Sequence, residues 1–190
     1  MEEPNIQESL MRIVSEVDEA SALSTQDAAA GLQAAVELTE AARRVFVHGA
    51  GRSGLALRMT AMRLMHLGLD VHVVGETTTP AISGGDLLIA ASGSGATPGV
   101  VRAAETAKAA GARLLAITTA PGSRLAQLAD AVLVVPAATK TDRSQLHTSQ
   151  YAGSLFEQAV VLLGDALFDT LWKRSGVSAD ELWPRHTNLE

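Results

Sequence analysis

Twice along this chain a short apolar run ends in a glycine- and serine-rich turn that opens directly into a helical segment. Val45-Phe46-Val47-His48 passes through Gly49-Ala50-Gly51-Arg52-Ser53-Gly54, and Leu87 to Ala91 passes through Ser92-Gly93-Ser94-Gly95-Ala96-Thr97. A strand feeding a helix in this way is half of a βαβ unit, whose parallel strands require a crossover connection. The flanking sequence follows the same rule. Apolar runs at 44–48, 71–74, 86–91, 113–118 and 131–135 alternate with helical segments near 53–67, 97–110 and 123–128, while 74–86 shows no clear helix. Runs that are apolar on both faces and separated by helices predict an α/β three-layer sandwich: a five-stranded parallel sheet, covered on both sides.

Two further helices are predicted over about 5–42, split near Ser24-Thr25, where a capping residue precedes an alanine-rich stretch. A long helix is predicted at about 150–175, then a short one at 178–182 with a Ser178-x-x-Glu181 capping box, stopped by Pro184. No repeat or linker interrupts this order. The 190 residues therefore read as a single domain, with N-terminal helices over 1–42, an α/β core over 43–149, and C-terminal helices and a tail over 150–190.

Composition narrows the function. A net charge of −6 and a pI near 5.4 leave no basic stripe for a nucleic-acid backbone. The start Met1-Glu2-Glu3-Pro4 has no basic n-region, and no apolar run approaches the ~18 residues of a membrane span, so a cytoplasmic location is expected. With 47% apolar and only 19% charged residues, the chain has little charge for a small monomer, which points to further burial in an oligomer. Cysteine is absent, which removes thiolate chemistry. The five histidines, His48, His66, His72, His147 and His186, show no H-x-x-x-H spacing, so no metal site is expected.

Backbone N–H groups at a glycine-rich turn, together with a helix N-terminus, form a site for an anion. The first turn also satisfies G-x-G-x-x-G, so a dinucleotide site stays open, with Glu76 at the end of the second strand as its ribose acid; a plain tight turn without a ligand stays open too. The second turn is less ambiguous. It adds Ser92, Ser94 and Thr97 to Ser53, and Pro98 suits the first turn of the helix that follows. In a flavodoxin-like strand order the first and third strands are neighbours, so both turns would face one crevice and their hydroxyls would surround one phosphate.

On the long helix, Glu157 falls on one line with Val161, Gly164 and Phe168, whereas Gln158, Asp165 and Asp169 share a separate polar line. Glu157 therefore faces inward or toward a cleft. A carboxylate in partly apolar surroundings suits a proton-shuttling base near neutral pH. A structural pairing with a buried arginine, Arg58 or Arg63, explains the same position equally well. His48 and His66 read as packed residues, and His186 by itself as a solvated tail residue.

Together these stretches resemble the sugar isomerase (SIS) domain family and, within it, the 6-phospho-3-hexuloisomerases. Besides the two turns and Leu155-Phe156-Glu157, the likeness rests on Ala61-Met62-Arg63-Leu64-Met65-His66-Leu67-Gly68, Val74-Gly75-Glu76-Thr77-Thr78-Thr79-Pro80 and Arg185-His186-Thr187-Asn188-Leu189. The resemblance implies isomerisation of D-arabino-3-hexulose 6-phosphate and fructose 6-phosphate, in the ribulose monophosphate route that fixes formaldehyde. It implies no cofactor, a homo-oligomer with a tetramer favoured, and functional pairing with 3-hexulose-6-phosphate synthase. Ser53, Ser92, Gly93, Ser94 and Thr97 would hold the phosphate, with Gly51, Arg52 and Glu76 in the same substrate-binding set. Glu157 would be the base, and His186 an acid/base partner reaching a neighbouring subunit's site. Two places depart from the family pattern. Ala96 stands where a polar or charged residue is common, and Tyr151-Ala152-Gly153-Ser154 replaces the usual Pro-Leu-Gly-Thr or Met-Gly-Thr approach to Phe-Glu.

Overall fold

Five short apolar strands, each followed by a helix or a turn, assemble as the pattern requires. The structure, a computed structural model, describes residues 5–23, 26–138 and 148–189. The elements run α1 (Ile6–Ser21), α2 (Gln26–Ala41), β1 (Val45–Gly49), α3 (Gly51–His66), β2 (Val71–Val73), β3 (Leu87–Ala91), α4 (Pro98–Ala109), β4 (Arg113–Thr118), α5 (Arg124–Leu128), β5 (Ala131–Val134), α6 (Ser154–Ser175) and α7 (Ala179–Leu182). Ser24, Thr25 and His147 lie outside the described residues.

All strands are parallel, in the order β2-β1-β3-β4-β5, with Val45 opposite Val71 on one side and Leu87 on the other. This is the flavodoxin-like order. Alternate residues of each strand enter two cores. Val45, Val47, Leu87, Ile89, Leu115 and Ile117 pack with α2, α3 and α6. Phe46, Leu88, Ala90, Leu114 and Ala116 pack with α4 and α5 on the other face. The result is three layers, and β1 and β3 at the centre bring both Gly/Ser turns to the same edge.

Three features set the frame of the site. At the opposite edge the buried Asp86 accepts bonds from Arg43, Arg44 and the Ser83 amide, which fixes the starts of β1 and β3. Gly164 of α6 faces Thr60 of α3 so closely that a Cβ there would lie 2.0 Å from Thr60 Oγ1. The Thr60 side chain therefore packs directly on the Gly164 backbone, in space that any Cβ there would occupy. Finally, Ser178 and Glu181 form the expected capping box, but Pro184 does not stop the chain abruptly; it sits inside a short 3-10 turn, Trp183–Arg185. Proline's fixed φ is compatible with the first residues of such a turn. Among the described residues no helix is long and apolar enough to cross a membrane.

Candidate active site

The crevice at the carboxyl edge has a volume of about 250 Å³. Gly51 and Ser53 line it from the β1–α3 turn, and Ser92, Gly93, Ser94 and Thr97 from the β3–α4 turn. Gly153 and Phe156 of α6 close it with Ala138. A second cavity, about 180 Å³, lies between α2, α6 and the sheet among Leu32, Val36, Leu115 and Leu167, and offers little to a charged ligand.

The second turn is held rigidly. The Ser92 carbonyl accepts from the Gly95 amide at 2.9 Å, and the Gly95 carbonyl from the Leu125 amide at 3.0 Å. The Gly93 carbonyl accepts from the Thr119 amide and from the hydroxyls of Thr118 and Thr119 at 3.0, 3.0 and 2.8 Å. In a planar trans peptide the N–H points away from the C=O. Turning these carbonyls into the protein therefore aims the amides of Gly93, Ser94 and Ala96 the other way. Gly95 is required here: its φ is +60, and a Cβ would lie 1.9 Å from Ser123 Oγ. Ser92 Oγ and Thr97 Oγ1 are 2.8 Å apart, so these two hydroxyls hold each other before any ligand arrives, and Ser53 is buried beside them. Both α3 and α4 begin at this crevice, and their N-termini add positive potential for a phosphate.

Glu157 is 7% exposed and sits in the first turn of α6, beside this pocket. Its Oε2 lies 2.9 Å from Arg52 Nε, in the first turn of α3. The inward position expected of Glu157 holds, but the expected partner does not. Arg58 instead pairs with Glu76 at 2.5 Å, and Arg63 lies over the Phe168 ring at 5.6 Å. The reason is the alignment of the helices. Thr60 meets Gly164, and eight residues back on α3 and seven back on α6 bring Arg52 opposite Glu157. Arg52 itself is open to solvent, with 62% of its side chain exposed.

Two expected site residues lie elsewhere. Glu76 does not line the crevice; it follows β2, half exposed, in its ion pair with Arg58. His186 packs at a tilt against the buried His66, with ring centroids 4.1 Å apart, and against Trp183 at 4.8 Å. That is the far end of α3, roughly 22 Å from Gly51 at 1.5 Å per residue. His186 is thus remote from the crevice of its own chain. Burial, with the neighbouring His186 and Arg63, pushes the His66 imidazole below its ordinary value. His48 is likewise pushed down by burial, against a bond to the Gly99 backbone that favours its charged form. Both histidines are the packed residues expected. Among the described residues no three His, Cys, Asp or Glu side chains gather as a metal-binding group. The sequence did not reveal Gly153 and Phe156 as walls of the site, nor Arg52 as the partner of Glu157. The Gly-Ser step ahead of α6 was the only local signal.

Comparison with known proteins gives the same class. The SIS domain model matches residues 37–162, and the chain belongs to the SIS domain family. It is 65% identical over 147 residues to the 3-hexulose-6-phosphate isomerase of Mycobacterium gastri, covering 77% of this chain and 74% of that protein. Over 148 residues it is 39% identical to the enzyme of the same name from Bacillus subtilis, covering 77% and 80% of the two chains. A Methanococcus jannaschii crystal structure, described as inferring a molecular function of 3-hexulose-6-phosphate isomerase, superposes with a TM-score of 0.83. The identity to it is 30%, over 96% of this chain and 99% of that one.

Proposed function

We propose that this chain is a 3-hexulose-6-phosphate isomerase, interconverting D-arabino-3-hexulose 6-phosphate and fructose 6-phosphate. The observation that carries the mechanism is the buried Glu157 carboxylate beside a pocket of hydroxyls and helix N-termini. The phosphate occupies that pocket, held by Ser53, Ser92, Ser94, Thr97 and the Gly93 and Ser94 amides. Binding energy gained at this remote group orients the reacting carbons. Glu157 then removes the C2 proton of the 3-ketose, and the electron pair forms the C2–C3 double bond while charge develops on O3. Arg52 supplies the positive charge next to this point. O3 takes up a proton, giving the cis-enediol. The O2 hydroxyl gives up its proton, the C2 carbonyl forms, and Glu157 returns a proton to C3. Atoms balance and no redox step occurs.

His186 enters this scheme as an acid/base partner only from a neighbouring subunit, within a homo-oligomer for which a tetramer is favoured. Exposed apolar side chains on α1 (Ile6, Leu10, Val14) and α3 (Leu55, Met59, Met62) support such an assembly. Glu76 contributes to substrate binding through the same assembly rather than in its own crevice. The enzyme belongs in the cytoplasm, at the second step of the ribulose monophosphate route, beside the synthase that makes its substrate. The test is an assay of the 3-hexulose phosphate coupled to glucose 6-phosphate formation from fructose 6-phosphate, with other sugar phosphates followed by direct analysis of their products. Turnover confined to a different sugar phosphate would keep the family and overturn this substrate.

A further inference from the structure

The helix that carries Glu157 begins without a local cap. Its N-cap residue is Gly153, which has no side chain to offer, and Ala152 just before it has φ 52, a left-handed conformation disfavoured for any residue with a Cβ. This turn nevertheless sets Gly153, Phe156 and Glu157 at the crevice. Such a conformation persists only where the surroundings impose it.

The imposing group comes from α1. Glu16 Oε1 accepts from the Ser149 amide at 2.9 Å and the Ser149 hydroxyl at 2.7 Å, while Oε2 accepts from the Thr148 hydroxyl and from Gln150 Nε2 at 3.0 Å. Burial pushes this carboxyl up, but the bonds from Thr148, Ser149 and Gln150 outweigh it and hold the group down to about 2. Gln150 in turn exchanges two amide bonds with Gln158, at 3.1 and 2.9 Å, one residue beyond Glu157. One carboxylate thus grips three consecutive residues, and the third of these grips the first turns of α6.

We infer that Glu16 is a positioning residue for the isomerase: through residues 148–150 and Gln158 it imposes the strained turn at Ala152 and so places the Glu157 carboxylate. This rests on Glu157 being the base.

The test uses the full chain with four variants: Glu16→Gln, Ala152→Gly, the double variant, and Gln150→Leu. Glu16→Gln lowers kcat by about tenfold or more, and by more than it raises KM, because the phosphate turns stay in place. Ala152→Gly alone leaves kcat within about twofold, since glycine accepts the left-handed conformation without penalty. In the double variant glycine removes the need for restraint, and kcat recovers to within about threefold of wild type. A purely structural tether predicts otherwise, with kcat of Glu16→Gln intact, or a double variant that regains melting temperature but not kcat; either result overturns the inference. If Glu16→Gln does not fold, Gln150→Leu, which cuts the link to Gln158, must show the same fall in kcat, and an unchanged kcat there overturns the inference. Wild type is assayed alongside. Glu157→Gln is assayed beside it: a kcat kept there removes the base assignment and the inference with it, whereas a kcat lost in Glu157→Gln but kept in Glu16→Gln removes only the inference.

Discussion

Replacing Glu157 by glutamine separates basicity from shape. Glutamine keeps the volume and one carbonyl acceptor but takes no proton near neutral pH, so a general base is lost while the helix remains. General-base catalysis contributes at least about 10², or about 2.7 kcal/mol of barrier, so kcat should fall by that factor or more. The cost in stability follows from the partner. Were the partner a buried arginine, losing its counter-charge would cost about 3–5 kcal/mol. Arg52 has 62% of its side chain exposed and remains hydrated after the change, so the loss should stay within about 1 kcal/mol. For a chain of this size that is a shift in Tm of about 2–4 °C. Steady-state kinetics and thermal unfolding on the same preparation measure both quantities. A variant that keeps kcat within about threefold of wild type while melting more than about 10 °C lower would refute the reasoning and reassign Glu157 to structure.

Ser94→Ala should raise KM for the phosphorylated substrate more than it lowers kcat, because the hydroxyl contributes binding shared by ground and transition states; an unchanged KM would remove Ser94 from the phosphate site. Asp86 is held below its ordinary range because bonds from Arg44, Ser83 and Arg43 outweigh the cost of its burial. A depressed carboxyl contributes stability that is present above its unfolded value of about 3.8 and is lost as pH falls through the lower folded value. Asp86→Asn should therefore lower stability at pH 7 by about 1.5–3 kcal/mol, the range for hydrogen bonds to a charged group, and flatten the decline below pH 4, as read from Tm against pH; a parallel decline in both proteins would contradict this. Exhaustive chelation should leave turnover unchanged, and restoration of lost activity by one particular divalent ion would overturn the metal-free mechanism.

The strands were legible because each is buried on both faces and therefore apolar at every position, as Leu87 to Ala91 shows. The two turns were legible for a related reason: glycines and hydroxyls between a strand and a helix have few other uses. Glu157 was legible as inward-facing from its alignment with Val161, Gly164 and Phe168, apart from the polar line of Gln158, Asp165 and Asp169. Its partner was not legible, since choosing Arg52 over Arg58 or Arg63 requires knowing that α3 and α6 run side by side in register at Thr60 and Gly164. The start of α6 was placed near 150 and lies at Ser154, because residues 148–150 are claimed by Glu16 across the fold. Glu76 and His186 were assigned by likeness, and within one chain their neighbours are Arg58 and His66.

The bare contact between Gly164 and Thr60 also governs how the site can move. With the Thr60 side chain set directly on the Gly164 backbone, the two helices have little room to slide or roll, since either movement drives that side chain into the facing helix. Arg52 and Ser53 on one helix and Glu157 on the other therefore travel as a single body. The opposite wall is braced as well, by the bonds that the Gly93 and Gly95 carbonyls accept from Thr118, Thr119 and Leu125. In such a machine neither the base nor the phosphate grip has to find its place after the substrate enters.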